Sequence, residues 1–186
     1  MIVLPSRNVT ESAATEEALD EESADAVASE DSSGSVYLFN DSDFSSAPVR
    51  SVREPEGWTK EPVKEGVVNY RNAGLQCTFT IHQAVLPGAR GTGDEVATAV
   101  AMASEINGVK EAVGRPVDVV DDAGSVYVDL RDGSQDIELQ EAELRFKNDN
   151  EADVVYRMAI RATTGSSGLM ELALACPGSL DTELEL

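Results

Sequence analysis

Three stretches of this sequence alternate apolar and polar residues with a period of two, and this pattern constrains the fold more than any other feature. They span residues 75–82, 154–161 and 170–176. Successive side chains of a β-strand point to opposite faces, so each stretch is predicted to be a strand with one buried face. Half-buried strands of this kind are typical of antiparallel sheets.

A single helix is predicted to follow the first two strands. Residues 92–95 (Thr-Gly-Asp-Glu) match a capping box, and the helix is expected to end at Gly108 or at Gly114. The predicted buried stripe of this helix consists of Val96, Val100, Ala103 and Ile106 or Asn107.

The remaining segments predict further strands. Residues 67–70 indicate a strand before the first alternating stretch, and residues 117–120 and 125–130 indicate a hairpin across the turn at 121–124. Between residues 137 and 146 the apolar positions change from odd-numbered to even-numbered, which a bulge near Glu141 would explain. The sequence therefore predicts an α+β fold: an antiparallel sheet of five to six strands with one main helix packed on one face, in the order ββαββββ.

Both cysteines occupy the apolar parity of a predicted strand. If those two strands are neighbours, a disulfide between Cys77 and Cys176 is geometrically reasonable. It would close a loop of roughly 100 residues and could contribute up to about 4.7 kcal/mol. The alternative is two free buried thiols. Because disulfides persist in oxidising compartments, the pair favours an extracellular or cell-envelope location over a cytoplasmic one.

Acidic residues dominate the N-terminal region. Residues 8–49 hold eleven acids and no Lys or Arg, and the whole chain has a formal net charge of −21. Such a segment cannot bury enough apolar surface to offset its chain entropy. We therefore predict a disordered acidic arm over residues 1–50, an α+β domain over residues 55–178 and an acidic tail over residues 179–186.

This charge and the absence of a long apolar run limit the classes of partner. An acidic chain repels phosphate backbones, so nucleic acid is not an expected partner. No run approaches the ~20 apolar residues that span a bilayer, so direct membrane insertion is not expected. An exported form would require a signal or anchor upstream of residue 1, with the acidic arm serving as a stalk.

One apolar run interrupts the arm. It contains Tyr37, Leu38 and Phe39, and Phe44 follows after four polar residues. One interpretation is a short linear docking motif with acidic flanks. The alternative is an edge strand that packs back on the domain.

Positive charge is concentrated on two of the predicted strands, at Arg145, Lys147, Arg157 and Arg161. On a shared solvent face these side chains would pair with glutamates of neighbouring strands. The candidate partners are Glu138, Glu141, Glu143 and Glu171. The alternative is an anion site, or a patch where the acidic arm docks in cis.

The other candidate groups do not assemble a catalytic site. His82, the single histidine, lies on a polar parity and is expected to be solvated; neither a catalytic triad nor a zinc site has enough further members. The glycine-rich residues 88–93 match no nucleotide fingerprint, and the acidic clusters at 118–122 and 132–138 lack the spacing of a calcium loop. We therefore predict a protein that is not an enzyme and that holds no metal and no cofactor.

A family resemblance is carried by Gly57 and Trp58 at the start of the domain, by the strands at 67–70 and 77–82, and by the helix from Asp94. This order resembles the PsbP-like fold of small secreted lipoproteins from high-GC Gram-positive bacteria, over about residues 55–178. The C-terminal helix of that family has no counterpart after Cys176. The resemblance implies a non-catalytic binding or accessory protein. A cystatin-like or another curved-sheet binding fold is compatible with the same element order.

Together these features predict an exported or surface-tethered accessory domain that binds a protein or a cell-envelope component. The alternative is a cytosolic adaptor or regulator that binds through its acidic arm and residues 37–44. A third hypothesis, a small ligand carrier or enzyme, would require a deep apolar pocket.

Overall fold

The structure is a computed structural model that describes residues 37–39, 56–61, 66–86, 93–129 and 136–180. Of the predicted arm, residues 37–39 belong to the described part, whereas Phe44 and residues 181–186 of the tail lie outside it. The elements are, in chain order, β1 (Thr59–Lys60), β2 (Val67–Asn72), β3 (Cys77–Val85), α1 (Asp94–Val113), β4 (Val117–Asp129), β5 (Asp136–Lys147), β6 (Asp153–Thr163) and β7 (Gly168–Pro177), followed by a 3-10 turn at Gly178–Leu180.

All the strands form one antiparallel sheet in the spatial order β1-β2-β3-β7-β6-β5-β4. The last strand, β7, lies between β3 and β6 and joins the N-terminal strands to the β4–β6 meander. Over the described residues this confirms an α+β fold with an antiparallel sheet and one α-helix. The predicted number of strands and the order ββαββββ are wrong, because β1 precedes the other strands. Its two residues are too few to show any periodicity.

The helix α1 runs from Asp94 to Val113 and ends at Gly114, which adopts the left-handed conformation and donates its N–H to the carbonyl of Lys110. The second of the two predicted ends is therefore the correct one. The N-cap is Gly93, which has no side chain to cap the helix, and Thr92 of the predicted capping box lies outside the described residues.

The buried face of α1 differs from the prediction. Ala97, Ala101 and Met102 pack on the sheet, whereas Val96 and Val100 are more than half exposed. Apolar residues lie almost all round this alanine-rich helix, so periodicity did not identify the face that the sheet would cover.

The edge strand β4 replaces the predicted hairpin. It is one strand that pairs with β5 along both of its halves, with register shifts between Val119 and Asp121 and between Asp121 and Gly124. The extra residues lie in β4, opposite Glu141 and Glu143, while β5 keeps a regular register with β6. The bulge predicted in β5 is therefore wrong, since the irregular backbone belongs to the partner strand.

The change of apolar parity along β5 arises because the sheet buries both faces. Even-numbered residues such as Leu144 and Phe146 contact the helix-side core, whereas Ile137 and Leu139 belong to a second core on the opposite face. The second core comprises Tyr70, Ile81, Ile137, Leu139, Ala159, Met170 and Leu172.

In the described part of the chain, no helix is long and apolar enough to cross a membrane.

Candidate functional site

A disulfide joins Cys77 and Cys176, as the parity of the two strands predicted. Their Cα atoms are 4.4 Å apart, and both residues are buried at the junction of β3 and β7. Trp58 and Phe79 pack against this end of the sheet with their rings edge to face, 6.5 Å between centroids. The bond therefore connects the N-terminal strands to the last strand at the point where they meet.

Arg161 is fully buried where β5 and β6 separate. The pairing of these two strands ends at Gln140 and Ile160. One step beyond, the Arg161 guanidinium donates to the carbonyl of Glu138 at 3.1 Å and to Asp94 Oδ2 at 3.0 Å. A buried ion pair is tolerated only when additional hydrogen bonds satisfy its groups. Here both terminal nitrogens of the guanidinium donate hydrogen bonds, whereas Arg161 Nε is buried without one among the described residues.

Asp94 ties the start of the helix to the end of β6. Its Oδ1 accepts the N–H of Thr164 at 2.7 Å and the hydroxyl of the same residue at 2.9 Å. One turn later, the hydroxyl of Thr98 accepts the N–H of Ala162 at 3.0 Å. A carboxylate in the first turn is also favoured by the helix dipole. These contacts fix the position of the carboxylate, and through it the position of the Arg161 guanidinium.

Residues 37–39, here called the arm segment, lie against Arg161 and Glu138. Arg161 Nη2 donates to the carbonyl oxygen of Tyr37 at 3.1 Å, and the N–H of Leu38 donates to Glu138 Oε2 at 2.8 Å. Both main-chain atoms belong to the single peptide group between Tyr37 and Leu38. The other carboxylate oxygen of Glu138 accepts the hydroxyl of Ser125 at 2.7 Å, which orients the side chain. One peptide group is thus held between a cation and a carboxylate, and hydrogen bonds to charged groups are the stronger kind.

Aromatic rings cover the outer side of this contact. The rings of Tyr37 and Phe39 stack with 5.2 Å between centroids, and Tyr37 meets Tyr127 of β4 edge to face at 6.4 Å. Phe39 is 65% exposed and Tyr127 is 52% exposed. The arm segment forms a turn at this position rather than the edge strand that was one of its two predicted forms.

The structure separates the four basic residues that the sequence grouped. Arg145 and Arg157 both pair with Glu143, at 2.8 and 2.9 Å, on the face opposite the helix. Lys147 pairs with Asp153 at 3.0 Å. Arg161 lies apart from these pairs, in the buried network that contacts the arm segment. Its burial was invisible to sequence analysis because the acid that neutralises it is 67 residues away.

His82 is half-buried and paired rather than solvated. Its Nδ1 lies 3.0 Å from Oε2 of the buried Glu171, on the neighbouring strand and the helix side of the sheet. The hydrogen bond to Glu171 and the charges of Glu171 and Glu105 outweigh burial and raise the pKa of His82. Burial and the same two acids raise the pKa of the Tyr156 phenol. The pair of His82 and Glu171 can hold a proton between β3 and β7. Only the strand order places the two residues side by side.

Other candidates from the sequence gain no support from the described residues. Within ranges 56–61, 66–86, 93–129 and 136–180, no three His, Cys, Asp or Glu side chains are grouped so that they could hold a metal ion. The glycine-rich loop lies largely outside these ranges, as do residues 132–135 of the second acidic cluster.

A scan against protein-family models found no family that matches this chain, and a search of curated proteins found no significant match. The PsbP-like resemblance therefore stays a prediction.

Proposed function

We propose that this protein is a non-catalytic binding domain that works outside the cytoplasm, exported or tethered to the cell surface, and that its partner is a protein or a cell-envelope component. The observation that carries the proposal is the buried disulfide between Cys77 and Cys176. Cytosolic reductants keep thiols reduced, whereas structural disulfides persist in oxidising compartments.

The exposed rings beside β4 supply a surface for binding. Tyr127 lies on β4, an edge strand of the sheet. The ring of Tyr37 lies between the rings of Tyr127 and Phe39 and contacts both. Aromatic side chains are enriched at the centres of protein interfaces, and an edge strand offers main-chain groups for pairing. This combination favours recognition over catalysis.

Charge further narrows the class of partner. Residues 55–178 contain twenty acidic and eleven basic residues, a formal net charge of −9. A field of this sign attracts basic surfaces and repels acidic ones. A partner with a neutral or basic contact surface is therefore favoured.

The experiment that tests this proposal is the intact mass of protein isolated from its native host. The protein is alkylated at once under denaturing conditions, with and without prior reduction. We expect unmodified cysteines without reduction, a mass lower by two hydrogens than that of the dithiol, and two alkyl groups after reduction. Two alkylated thiols without reduction would refute the proposed location.

A second candidate function is a cytosolic adaptor that binds through the arm segment and Phe44. It is favoured by the exposure of Phe39, a residue that is 65% exposed although the neighbouring main chain is anchored to the domain. Two alkylated thiols in the mass experiment would support this candidate. Loss of partner capture by the Phe39→Ala variant, with capture retained by Leu75→Ala, would then locate the contact, because Leu75 is an exposed apolar residue in the turn between β2 and β3.

A further inference from the structure

We propose that Arg161 and Glu138 form a peptide-binding site, that the arm segment occupies it in cis, and that its ligand in trans is a peptide with aromatic side chains and basic flanks. The inference rests on the proposed function as a binding domain. It adds to that function the class of ligand and the way in which access to the site is controlled.

The site is built by the domain and does not depend on which peptide it holds. The Arg161 guanidinium is oriented by Asp94 and by the main chain of Glu138, and Asp94 is in turn held by Thr164. The Glu138 carboxylate is oriented by Ser125. The carbonyl oxygen of one peptide group accepts from Arg161, and the N–H of the same peptide group donates to Glu138. Every peptide group offers this pair of atoms unless a proline follows it.

Selectivity comes from the rings. The ring of Tyr37 packs edge to face on Tyr127 and stacks with Phe39. A ligand that presents its peptide group to Arg161 and Glu138 therefore places the preceding side chain against Tyr127. An aromatic side chain fits this position because edge-to-face and stacked rings attract each other beyond the area that they bury.

Electrostatics makes the arm a weak occupant. Residues 1–54 carry twelve acids and three arginines, a formal net charge of −9, and the domain over residues 55–178 carries −9 as well. The net charges of the arm and of the domain therefore repel each other, and the covalent attachment of the arm compensates by raising its effective concentration. A separate peptide with basic flanks is attracted where the arm is repelled, so it can displace the arm segment.

The test uses the full chain and a synthetic fluorescent peptide. The peptide carries the sequence of residues 36–40 (Val-Tyr-Leu-Phe-Asn) between two pairs of lysines, and a matched peptide carries two pairs of glutamates instead. Two variants alter the arm and leave the domain intact. Leu38→Pro removes the N–H that Glu138 accepts, whereas Leu38→Ala keeps it.

Fluorescence polarisation gives the affinities. We expect Leu38→Pro to bind the lysine-flanked peptide more tightly than the wild type by on the order of tenfold, because the competing segment is released. Leu38→Ala should stay within about twofold of the wild type, and the glutamate-flanked peptide should bind more weakly to every form. Rising salt should weaken binding of the lysine-flanked peptide, because screening reduces the attraction.

A domain-side variant tests the same site from the other partner. Glu138→Ala should abolish binding even in combination with Leu38→Pro, whereas Glu141→Ala, a carboxylate on the same strand, should leave it intact. Circular dichroism checks that both variants keep the native fold.

Three outcomes would overturn the proposal: equal affinity of Leu38→Pro and Leu38→Ala, equal affinity for the two peptides, or a dimer in sedimentation that dissociates with Leu38→Pro. The dimer would show that the arm of a second copy occupies the site. Failure of this proposal is distinct from failure of the proposed function. Free thiols in host protein would refute the location and leave the peptide result standing, whereas absent peptide binding with an intact disulfide would refute this inference alone.

Discussion

Replacing both Cys77 and Cys176 by alanine should lower the free energy of unfolding by about 4.7 kcal/mol. The disulfide links residues 99 positions apart. In the chain-entropy model, a cross-link that closes a loop of roughly 100 residues destabilises the unfolded ensemble by about this amount. Alanine is the appropriate replacement because both positions are buried, where a serine hydroxyl would need a hydrogen-bond partner.

The expected change in melting temperature follows from the size of the domain. An unfolding entropy of about 2.1 cal/mol/K per residue gives roughly 0.26 kcal/mol/K for about 125 residues, so the melting temperature should fall by about 18 °C. Small domains are stable by only about 5–15 kcal/mol, so the variant should be folded but marginal at physiological temperature.

The assay is thermal unfolding followed by far-UV circular dichroism. The double variant is compared with the wild type, and the wild type with and without a reductant serves as a second measure of the same cross-link. A fall of less than about 5 °C in both comparisons would refute the loop-closure reasoning. It would show that reduction leaves the unfolded ensemble nearly as restricted as before.

Three further predictions concern single residues, each measured by chemical or thermal unfolding. Gly108→Ala should stabilise the domain by about 0.5–1 kcal/mol, because Gly108 lies in the middle of α1 and an added Cβ would meet open space. Gly114→Ala should destabilise the domain, because the φ of Gly114 is +62°. The reverse order of stabilities would contradict this reasoning. The raised pKa of His82 means that its pair with Glu171 stabilises the fold fully below the ordinary histidine pKa of about 6.5, and that this contribution is lost as pH rises through the higher folded pKa. The free energy of unfolding that His82→Gln loses should therefore shrink from pH 5.5 toward alkaline pH. Because the chain has one histidine, NMR titration of its ring gives the pKa in the folded state directly. A pKa at or below 6.5 would refute the assignment. Asp94→Ala should lower the free energy of unfolding by about 3–5 kcal/mol, because it leaves a buried guanidinium without its charge partner. Removing the exposed Glu95 is the control. A loss below about 1 kcal/mol for Asp94→Ala, no larger than for the control, would contradict the buried ion pair.

Much of the sheet was predictable because strand periodicity is a local property. Strands β3, β6 and β7 were identified from their alternation, and the same alternation placed Cys77 and Cys176 on interior faces before any pairing was known. The end of α1 was also within reach, since Gly114 followed by a proline two positions later is a strong stop signal.

The parts that could not be predicted depend on contacts between residues far apart in the chain. The parity of a strand specifies which side of it is apolar, but it does not name the neighbouring strand. The insertion of β7 between β3 and β6 is what brings His82 beside Glu171 and makes the two cysteines adjacent. Which face of α1 is buried likewise depends on where the sheet meets the helix, because apolar residues lie on most sides of it.

Arg161 shows this division most clearly. From the alternation along its strand it was one basic residue among four, with no sign that it differed from the others. The separation of β5 from β6 opens a buried position, and Asp94 and the arm segment arrive there from 67 and 124 residues away. Local sequence specifies where the backbone can form strands or a helix. A buried charge, in contrast, is stabilised only by partners that the folded chain brings together from distant positions.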